Sequence, residues 1–326
     1  MSRAVVTGIG GQDGSYLAEL LLDRGTEVVG LVRPGAGTHA NLADLSAGIE
    51  LVEADLLDQA SLESVLRSAR AEELYNLAAP SFVPASWERP VETAEFAAVG
   101  ATAVLEAIRA VDPSIRYYQA SSSEIFGDPA ETPQSERTPL APVTPYGVAK
   151  AYAHFIVRSY RRRYGLYACS GILYNHESPR RPAEYLPRKV ALGVAGISLG
   201  LEHEVVLGDL DARRDWGYAG DYVRAMWLML QQEEADDYVV ASGDSHSVRE
   251  LVECAFAHVG LNWQDHVRVD PVLQRGAAEL HDLVGDASKA RERLGWSPEV
   301  SFEQLVRLLV DADRARLEAA ASVTPD

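Results

Sequence analysis

The sequence predicts an α/β protein built on a doubly wound parallel sheet, with a smaller mixed α/β lobe toward the C-terminal end. Three observations predict it. Short β-branched runs alternate with stretches of helical apolar spacing from residue 4 to residue 174; a glycine-rich turn joins the first run to the first helix; and after Asn175 the alternation gives way to an irregular order rich in Pro and Arg. Strands that alternate with helices lie parallel, because each helix carries the chain back to the same end, and the helices cover both faces. At 326 residues the chain is longer than one average domain, so two lobes are expected. Residues 1–174 read as the sheet domain, with a segment near 210–245 returning to it, and residues 175–326 as mainly the second lobe.

Ala4-Val5-Val6-Thr7 is a short buried strand. Residues 15–24 place Leu17, Leu20 and Leu21 at helical spacing and stop at Gly25, and residues 27–32 return to a β-branched run, which completes one βαβ unit. Further strands are expected at 49–53, 73–77 and 116–120, separated by helices over 58–68 and 90–111. A helix from Pro145 through residues 149–163 leads to a strand at 167–174. The tail over 277–320 reads as helical with a break at Gly295-Trp296-Ser297-Pro298, and residues 322–326 as disordered.

Composition excludes several classes of function. Hydrophobic residues make up 47% and charged residues 24%, with no apolar run of membrane-spanning length. Only Ser2 and Arg3 separate Met1 from the first strand, which is not a signal-peptide pattern, so a cytoplasmic protein is expected. Cys169 and Cys254 lack metal-like spacing and read as free thiols, so no metal site is expected. The net charge of −18 repels nucleic acid and anionic membranes. A small anionic ligand is compatible only where a few arginines converge.

The turn Gly8-Ile9-Gly10-Gly11-Gln12-Asp13-Gly14 lies between a strand and a helix. In that context glycines serve a dinucleotide pyrophosphate, which approaches the backbone N–H groups at the helix start only where no Cβ intervenes. A Rossmann domain with a nicotinamide cofactor follows. Sites for NAD usually carry an acid at the end of the second strand, whereas Leu31-Val32-Arg33-Pro34 offers Arg33 to a 2′-phosphate. NADP is therefore expected, with NAD as the alternative and a solvated loop arginine as the plain reading of Arg33. Asp55, with Leu56, is placed just past the third strand to accept from an adenine amino group.

Tyr146 and Lys150 are four residues apart near the start of a helix, which puts both on one face. A neighbouring ammonium favours the phenolate and makes a tyrosine a usable proton acceptor. The string Tyr117-Tyr118-Gln119-Ala120-Ser121-Ser122-Ser123-Glu124 leaves a strand at its carboxyl end, where open α/β sheets bind ligands. On extended backbone Ser122 and Glu124 project to the same side.

Together these residues resemble the extended short-chain dehydrogenase/reductase family. The continuation Gln12-Asp13-Gly14-Ser15-Tyr16-Leu17-Ala18-Glu19, the strings Asn175-His176-Glu177-Ser178-Pro179-Arg180-Arg181 and Arg214-Asp215-Trp216-Gly217-Tyr218, and the Ser121 to Glu124 segment resemble its GDP-mannose 4,6-dehydratase branch over nearly the whole chain. The resemblance implies a redox-neutral hydro-lyase that converts GDP-mannose to GDP-4-keto-6-deoxymannose. It implies Tyr146 as the base at the sugar 4-hydroxyl, Ser122 as its hydrogen-bond partner, Glu124 as base at C5 and acid toward the 6-hydroxyl, and Lys150 as the group that orients the nicotinamide ribose. It further implies cofactor contacts at Gly8, Gly11, Gln12, Asp13, Gly14, Leu77, Ala78, Ala79, Ser81, His176 and Arg181, and substrate contacts at Ser81, Asn175, Lys189, Arg214, Arg275 and Glu279. A homodimer or homotetramer is the implied assembly.

Several positions depart from the family pattern. Pro34 stands in place of a second basic residue, the loop over 35–42 lacks the Asn-Thr-x-Arg element that reaches a neighbouring subunit, Pro80 replaces a Gln, Pro182 replaces a Gly, and the insert before Arg275 is short. Two other functions fit the same turn and Tyr/Lys pair: a nucleotide-sugar epimerase or decarboxylase, and a catalytically idle NADP-binding regulator. Glu124 discriminates against a plain 4-epimerase, which needs no carboxylate there.

Overall fold

Burial along the first strand shows how the sheet is built. β1 (Arg3–Thr7) has Ala4 and Val6 in one core and Val5 in the other, all fully buried, because successive side chains point to opposite faces and both faces are covered. The computed structural model describes residues 2–37, 39–43, 45, 48–273 and 283–323. The remaining strands of the main sheet are β2 (Glu27–Val32), β3 (Ile49–Glu53), β4 (Glu73–Asn76), β5 (Arg116–Ala120) and β6 (Ala168–Leu173). A late strand, Asp237–Val240, pairs in parallel with β6. The seven strands run β3-β2-β1-β4-β5-β6 and then this late strand, with every neighbouring pair parallel.

One face is covered by α1 (Gln12–Asp23), through Leu17, Ala18 and Leu21. The other is covered by α2 (Gln59–Ala69), through Leu62, Val65 and Leu66. Two short helices follow, α3 (Ala85–Glu88) and α4 (Pro90–Ala94), then a π turn (Glu95–Val99) and α5 (Gly100–Val111). The single helix expected over 90–111 is thus interrupted by a wider turn. That turn packs Ala97 and Ala98 against Ala149 of α6 (Pro145–Tyr164).

The smaller lobe contains β7 (Asn175–Glu177), α7 (Leu186–Ser198), β8 (Val205–Leu207) and β9 (Arg213–Tyr218). The helix α8 (Ala219–Leu230) then packs on α1, and the late strand of the main sheet is β10. β11 (Ser245–Ser247), α9 (Val248–His258), β12 (Val267–Val269), α10 (Ser288–Leu294) and α11 (Phe302–Val323) complete the chain. β7, β9 and β11 form a three-stranded sheet, and α7, α9 and α11 share one apolar core. The break before α11 is set by Trp296, fully buried, whose indole N–H donates to the Asp221 carbonyl at 2.8 Å. The tail departs from expectation: α11 stays helical to Val323, because Leu305, Val306, Leu309 and Val310 are buried against α7 and α9.

The strand order turns back between β1 and β4, since the chain first builds β2 and β3 on one side and then crosses to the other. At such a reversal the loops leave in opposite directions and open a crevice at the carboxyl ends of the strands. None of the described helices is long and apolar enough to cross a membrane, and no cluster of three or more His, Cys, Asp or Glu among the described residues could hold a metal.

Candidate active site

The crevice is held open by buried hydrogen bonds between β1 and β4. The Thr7 hydroxyl accepts from the Leu77 and Ala78 N–H groups at 3.0 and 3.1 Å and donates to Asn76 Oδ1 at 2.7 Å. The turn that follows β1 presses its own backbone against α1: a Cβ on Gly14 would lie 2.4 Å from the Gly8 carbonyl oxygen. Gly11 caps α1 with no side chain, so the helix amino end faces the crevice as bare N–H groups. This is a cradle for a pyrophosphate.

The resulting cleft has a volume of about 410 Å³. It brings together Gly8, Gly11, Gln12, Asp13, Gly14, Leu77, Ala78, Ala79, Ser81, Ser122, Glu124, Tyr146, Lys150, Asn175, His176 and Arg181. A larger cavity of about 900 Å³ lies at the amino ends of β1, β2, β4 and β5, where Ser2, Thr26, Glu72 and Arg116 line it. The carboxyl-end cleft is the candidate site, because it holds the glycine cradle and the titratable cluster.

Ser122 and Glu124 converge differently from the extended geometry expected. Ser122 caps a short 3-10 turn (Ser123–Ile125), and its hydroxyl accepts from the Glu124 N–H at 3.3 Å. The turn shortens the path from strand to carboxylate. α6 starts directly beneath it: Thr144 caps the helix by accepting from the Gly147 N–H at 2.9 Å, and a Cβ on Gly147 would lie 2.5 Å from the Glu124 carbonyl oxygen. That close approach brings Tyr146 beside Ser122, with which its hydroxyl is hydrogen-bonded, and within the field of Glu124.

Tyr146 is not the lowered tyrosine that its spacing from Lys150 suggests. Burial raises its pKa well above the ordinary value, with Glu124 and Tyr185 adding to the rise and Ser122 and Arg181 opposing it. Lys150 Nζ donates to the Ala120 carbonyl at 2.9 Å and stands 5.6 Å from the Tyr146 ring centre. Burial lowers Lys150 to about 8, with Asp13 opposing.

On the opposite wall the charges are already matched. His176 Nε2 lies 2.8 Å from Asp13 Oδ2, and Arg181 lies 3.5 Å from Glu177 and stacks at 3.7 Å over the Tyr185 ring. The Tyr185 hydroxyl is 2.9 Å from Ser81 Oγ, so one contact spans the mouth from the smaller lobe to the loop after β4.

Five expected residues stand outside the cleft. Arg33 projects at the end of β2, 4.7 Å from the Phe96 ring centre and 4.0 Å from Glu92. Asp55 accepts from the Leu57 N–H at 2.9 Å, and Leu56 is buried. Lys189 Nζ donates to the Val206 carbonyl at 2.7 Å, and Arg214 donates to the Arg213 carbonyl at 2.6 Å. Arg275 and Glu279 lie outside the described residues. The cleft adds Val83, Ala120, Ser121, Ser123, Leu173 and Tyr174 to those anticipated. The strand-end rule could have found all but Val83, since Ala120 and Leu173 end β5 and β6 and the others follow them directly.

Residues 5–309 match the family model described as GDP-mannose 4,6 dehydratase. The chain is 49% identical over 323 residues to GDP-mannose 4,6 dehydratase 1 of Arabidopsis thaliana, covering 95% of this chain and 89% of that one. Among solved structures, a Thermus thermophilus UDP-glucose 4-epimerase in complex with NAD superimposes with a TM-score of 0.84 at 29% identity, covering 96% and 99% of the two chains. A Streptomyces venezuelae dTDP-glucose 4,6-dehydratase with NAD bound gives a TM-score of 0.86 at 26% identity, covering 97% and 98%. Epimerase and dehydratase share this fold equally well, so the fold alone does not separate them.

Proposed function

The chain belongs to the GDP-mannose 4,6-dehydratase family, and from that premise we propose that it removes water from GDP-mannose to form GDP-4-keto-6-deoxymannose, using Ser122, Glu124, Tyr146 and Lys150. The observation that carries this reading is the Glu124 carboxylate in the same cleft as the Tyr146 phenol and the Ser122 hydroxyl. An epimerase needs only the last two.

A nicotinamide dinucleotide fits the cleft at the amino end of α1, where Gly11 leaves the helix N–H groups bare, and when bound it would supply the acceptor for a hydride from C4 that is returned at C6. Tyr146 accepts the 4-hydroxyl proton as its phenolate, which the Lys150 ammonium and the positive charge of a bound oxidised nicotinamide would favour against burial, and Ser122 donates to the C4 oxygen so that the carbonyl is held in place. The 4-ketone makes the C5–H acidic. Glu124 removes that proton and delivers it to the departing 6-hydroxyl, so water leaves and the carboxylate is restored; C5 takes back a proton as hydride returns to C6, balanced by the one that Tyr146 took from the 4-hydroxyl. Lys150, held at about 8, keeps its charge at neutral pH under the Tyr146 ring.

Arg33 supports NADP rather than NAD, because its guanidinium lies on the β2 side of the cradle with most of its surface free for a 2′-phosphate. Ser81, Asn175, Lys189, Arg214, Arg275 and Glu279 are assigned to the nucleotide sugar. Residues 1–174 with 210–245 form the cofactor-binding part of this reading, and 175–326 mainly the substrate-binding part. The free thiols Cys169 and Cys254 suit a cytoplasmic setting. Val148, Tyr152 and Phe155 make an exposed apolar stripe on α6, which supports a homodimer. Phe155→Glu is expected to convert it to monomer by light scattering.

The test is incubation of the purified protein with a panel of nucleotide hexoses, followed by mass spectrometry. Loss of one water from GDP-mannose, with no net change in nicotinamide absorbance, is the expected result. A product of unchanged mass indicates epimerisation, and no product from any sugar indicates an idle binder.

A further inference from the structure

The His176 ring has an acceptor at each nitrogen. Nδ1 lies 2.7 Å from the Tyr174 carbonyl oxygen and Nε2 2.8 Å from Asp13 Oδ2. A carbonyl can only accept. The Asp13 carboxylate also accepts from Gln12 Nε2, at 3.0 Å through its other oxygen, and with His176 and Arg181 beside it the group is ionised at neutral pH. Both ring nitrogens therefore donate, which only the imidazolium can do.

The groups around the ring agree with this assignment. Asp13 faces it from α1, Glu177 and Arg181 from β7 and the segment after it, and Tyr222 of α8 stacks on it with ring centres 4.6 Å apart. Lys150 of α6 faces Asp13. Burial opposes the charge on His176, and so does Arg181, but Asp13 outweighs them and leaves the pKa above the ordinary imidazole value. Asp13 itself is pushed up by burial yet held at about 2 by His176 and Arg181.

Two more side-chain links join the same elements. Gln12 Nε2 donates to the His176 carbonyl at 3.1 Å, and the Ser178 hydroxyl donates to Gln12 Oε1 at 2.8 Å. The first turn of α1, whose N–H groups form the pyrophosphate cradle, is thus tied to residues 176–178 through the side chains of Gln12 and Asp13. Those side chains hold the protein to itself, and their backbone remains available to the cofactor.

We propose that His176 is a positioning residue, a doubly protonated clasp between β7 and the amino end of α1, and that loss of its proton weakens dinucleotide binding. This rests on the dinucleotide reading of the cradle given above. When the ring becomes neutral, one of its two donors is lost, and Asp13, still faced by Arg181 and Lys150, is left as an anion no longer compensated by its hydrogen-bonded partner beside the site for two phosphates. The anionic dinucleotide is then disfavoured.

The test is the affinity of the full-length protein for NADPH, followed by nicotinamide fluorescence between about pH 6 and about pH 9. The wild type is expected to weaken about fivefold as pH rises, a coupling of ordinary size. His176→Gln is expected to bind weakly and without this pH dependence, and Asp13→Asn to flatten the profile as well. Asp13→Asn placed in the His176→Gln background is expected to tighten binding, because it removes that anion. A purely structural role predicts further loss there. The inference is overturned if the falling limb persists in His176→Gln, as it would if Lys150 caused it, or if the double variant binds no more tightly than His176→Gln. Failure of the wild type to bind either NADPH or NADH at any pH overturns the dinucleotide reading itself.

Discussion

The two walls of the cleft are built in opposite ways. On the sheet-domain side, Ser122, Glu124, Tyr146 and Lys150 come from one strand end and one helix start, and contacts as short as that between Gly147 and the Glu124 backbone fix their spacing. On the smaller lobe, His176 and Arg181 are matched by Asp13 and Glu177, while Lys189 and Arg214 donate to backbone carbonyls away from the cleft. The difference teaches that the reacting groups are pre-placed by the backbone. In the proposed function, sugar-nucleotide recognition falls to long side chains that must exchange a partner in the protein for a phosphate.

Substitutions should therefore separate the walls by which kinetic constant they move. The largest effects are expected on the sheet-domain side. Tyr146→Phe and Glu124→Gln should each lower kcat by about 10²- to 10⁴-fold. Glu124→Gln should still exchange the C4 hydrogen with the cofactor while losing no water, which single-turnover mass spectrometry can read. Comparable loss of both steps in Glu124→Gln would dissolve the distinction between base at C4 and base at C5.

On the lobe side, Lys189→Ala and Arg214→Ala should raise KM for GDP-mannose by about tenfold each, the worth of one hydrogen bond to a charged group, with kcat little changed. An equal fall in kcat would place them among the reacting groups. Arg33→Ala should weaken NADPH by a similar factor and leave NADH unaffected; equal loss for both would assign Arg33 to the adenosine rather than the phosphate.

The smallest effect concerns stability. A raised imidazole contributes fully below its unfolded value and is lost as pH rises through the folded one, whereas the depressed Asp13 contributes above its own unfolded value and is lost as pH falls toward about 2. The clasp thus stabilises between those limits. Thermal melting of Asp13→Asn should fall below wild type by a few degrees near pH 6, and the gap should narrow above neutrality.

Much of the cleft wall on the sheet-domain side was legible in the sequence, because it depends on local features: a strand, a glycine turn, a helix with four residues from Tyr to Lys. What remained hidden depends on contacts between distant residues. Nothing near Asp13 in sequence announces His176, more than 160 positions away. The raised Tyr146 follows from burial, with Glu124 and Tyr185 adding to it, none of which the four-residue spacing encodes. The helical tail up to Val323 follows from packing on α7 and α9 rather than from its polar last residues. Lys189 and Arg214 were identified by motif alone, and a motif does not specify where a long side chain points.

The central claim is that Glu124 and Tyr146 share one sugar while the hydride taken at C4 returns at C6. Its most direct test uses GDP-mannose carrying deuterium at C4, with unlabelled NADP⁺ in excess in solution. The product is expected to be lighter by one water and to carry the deuterium at C6. Deuterium lost to the nicotinamide pool, or a product of unchanged mass with the label still at C4, would contradict it.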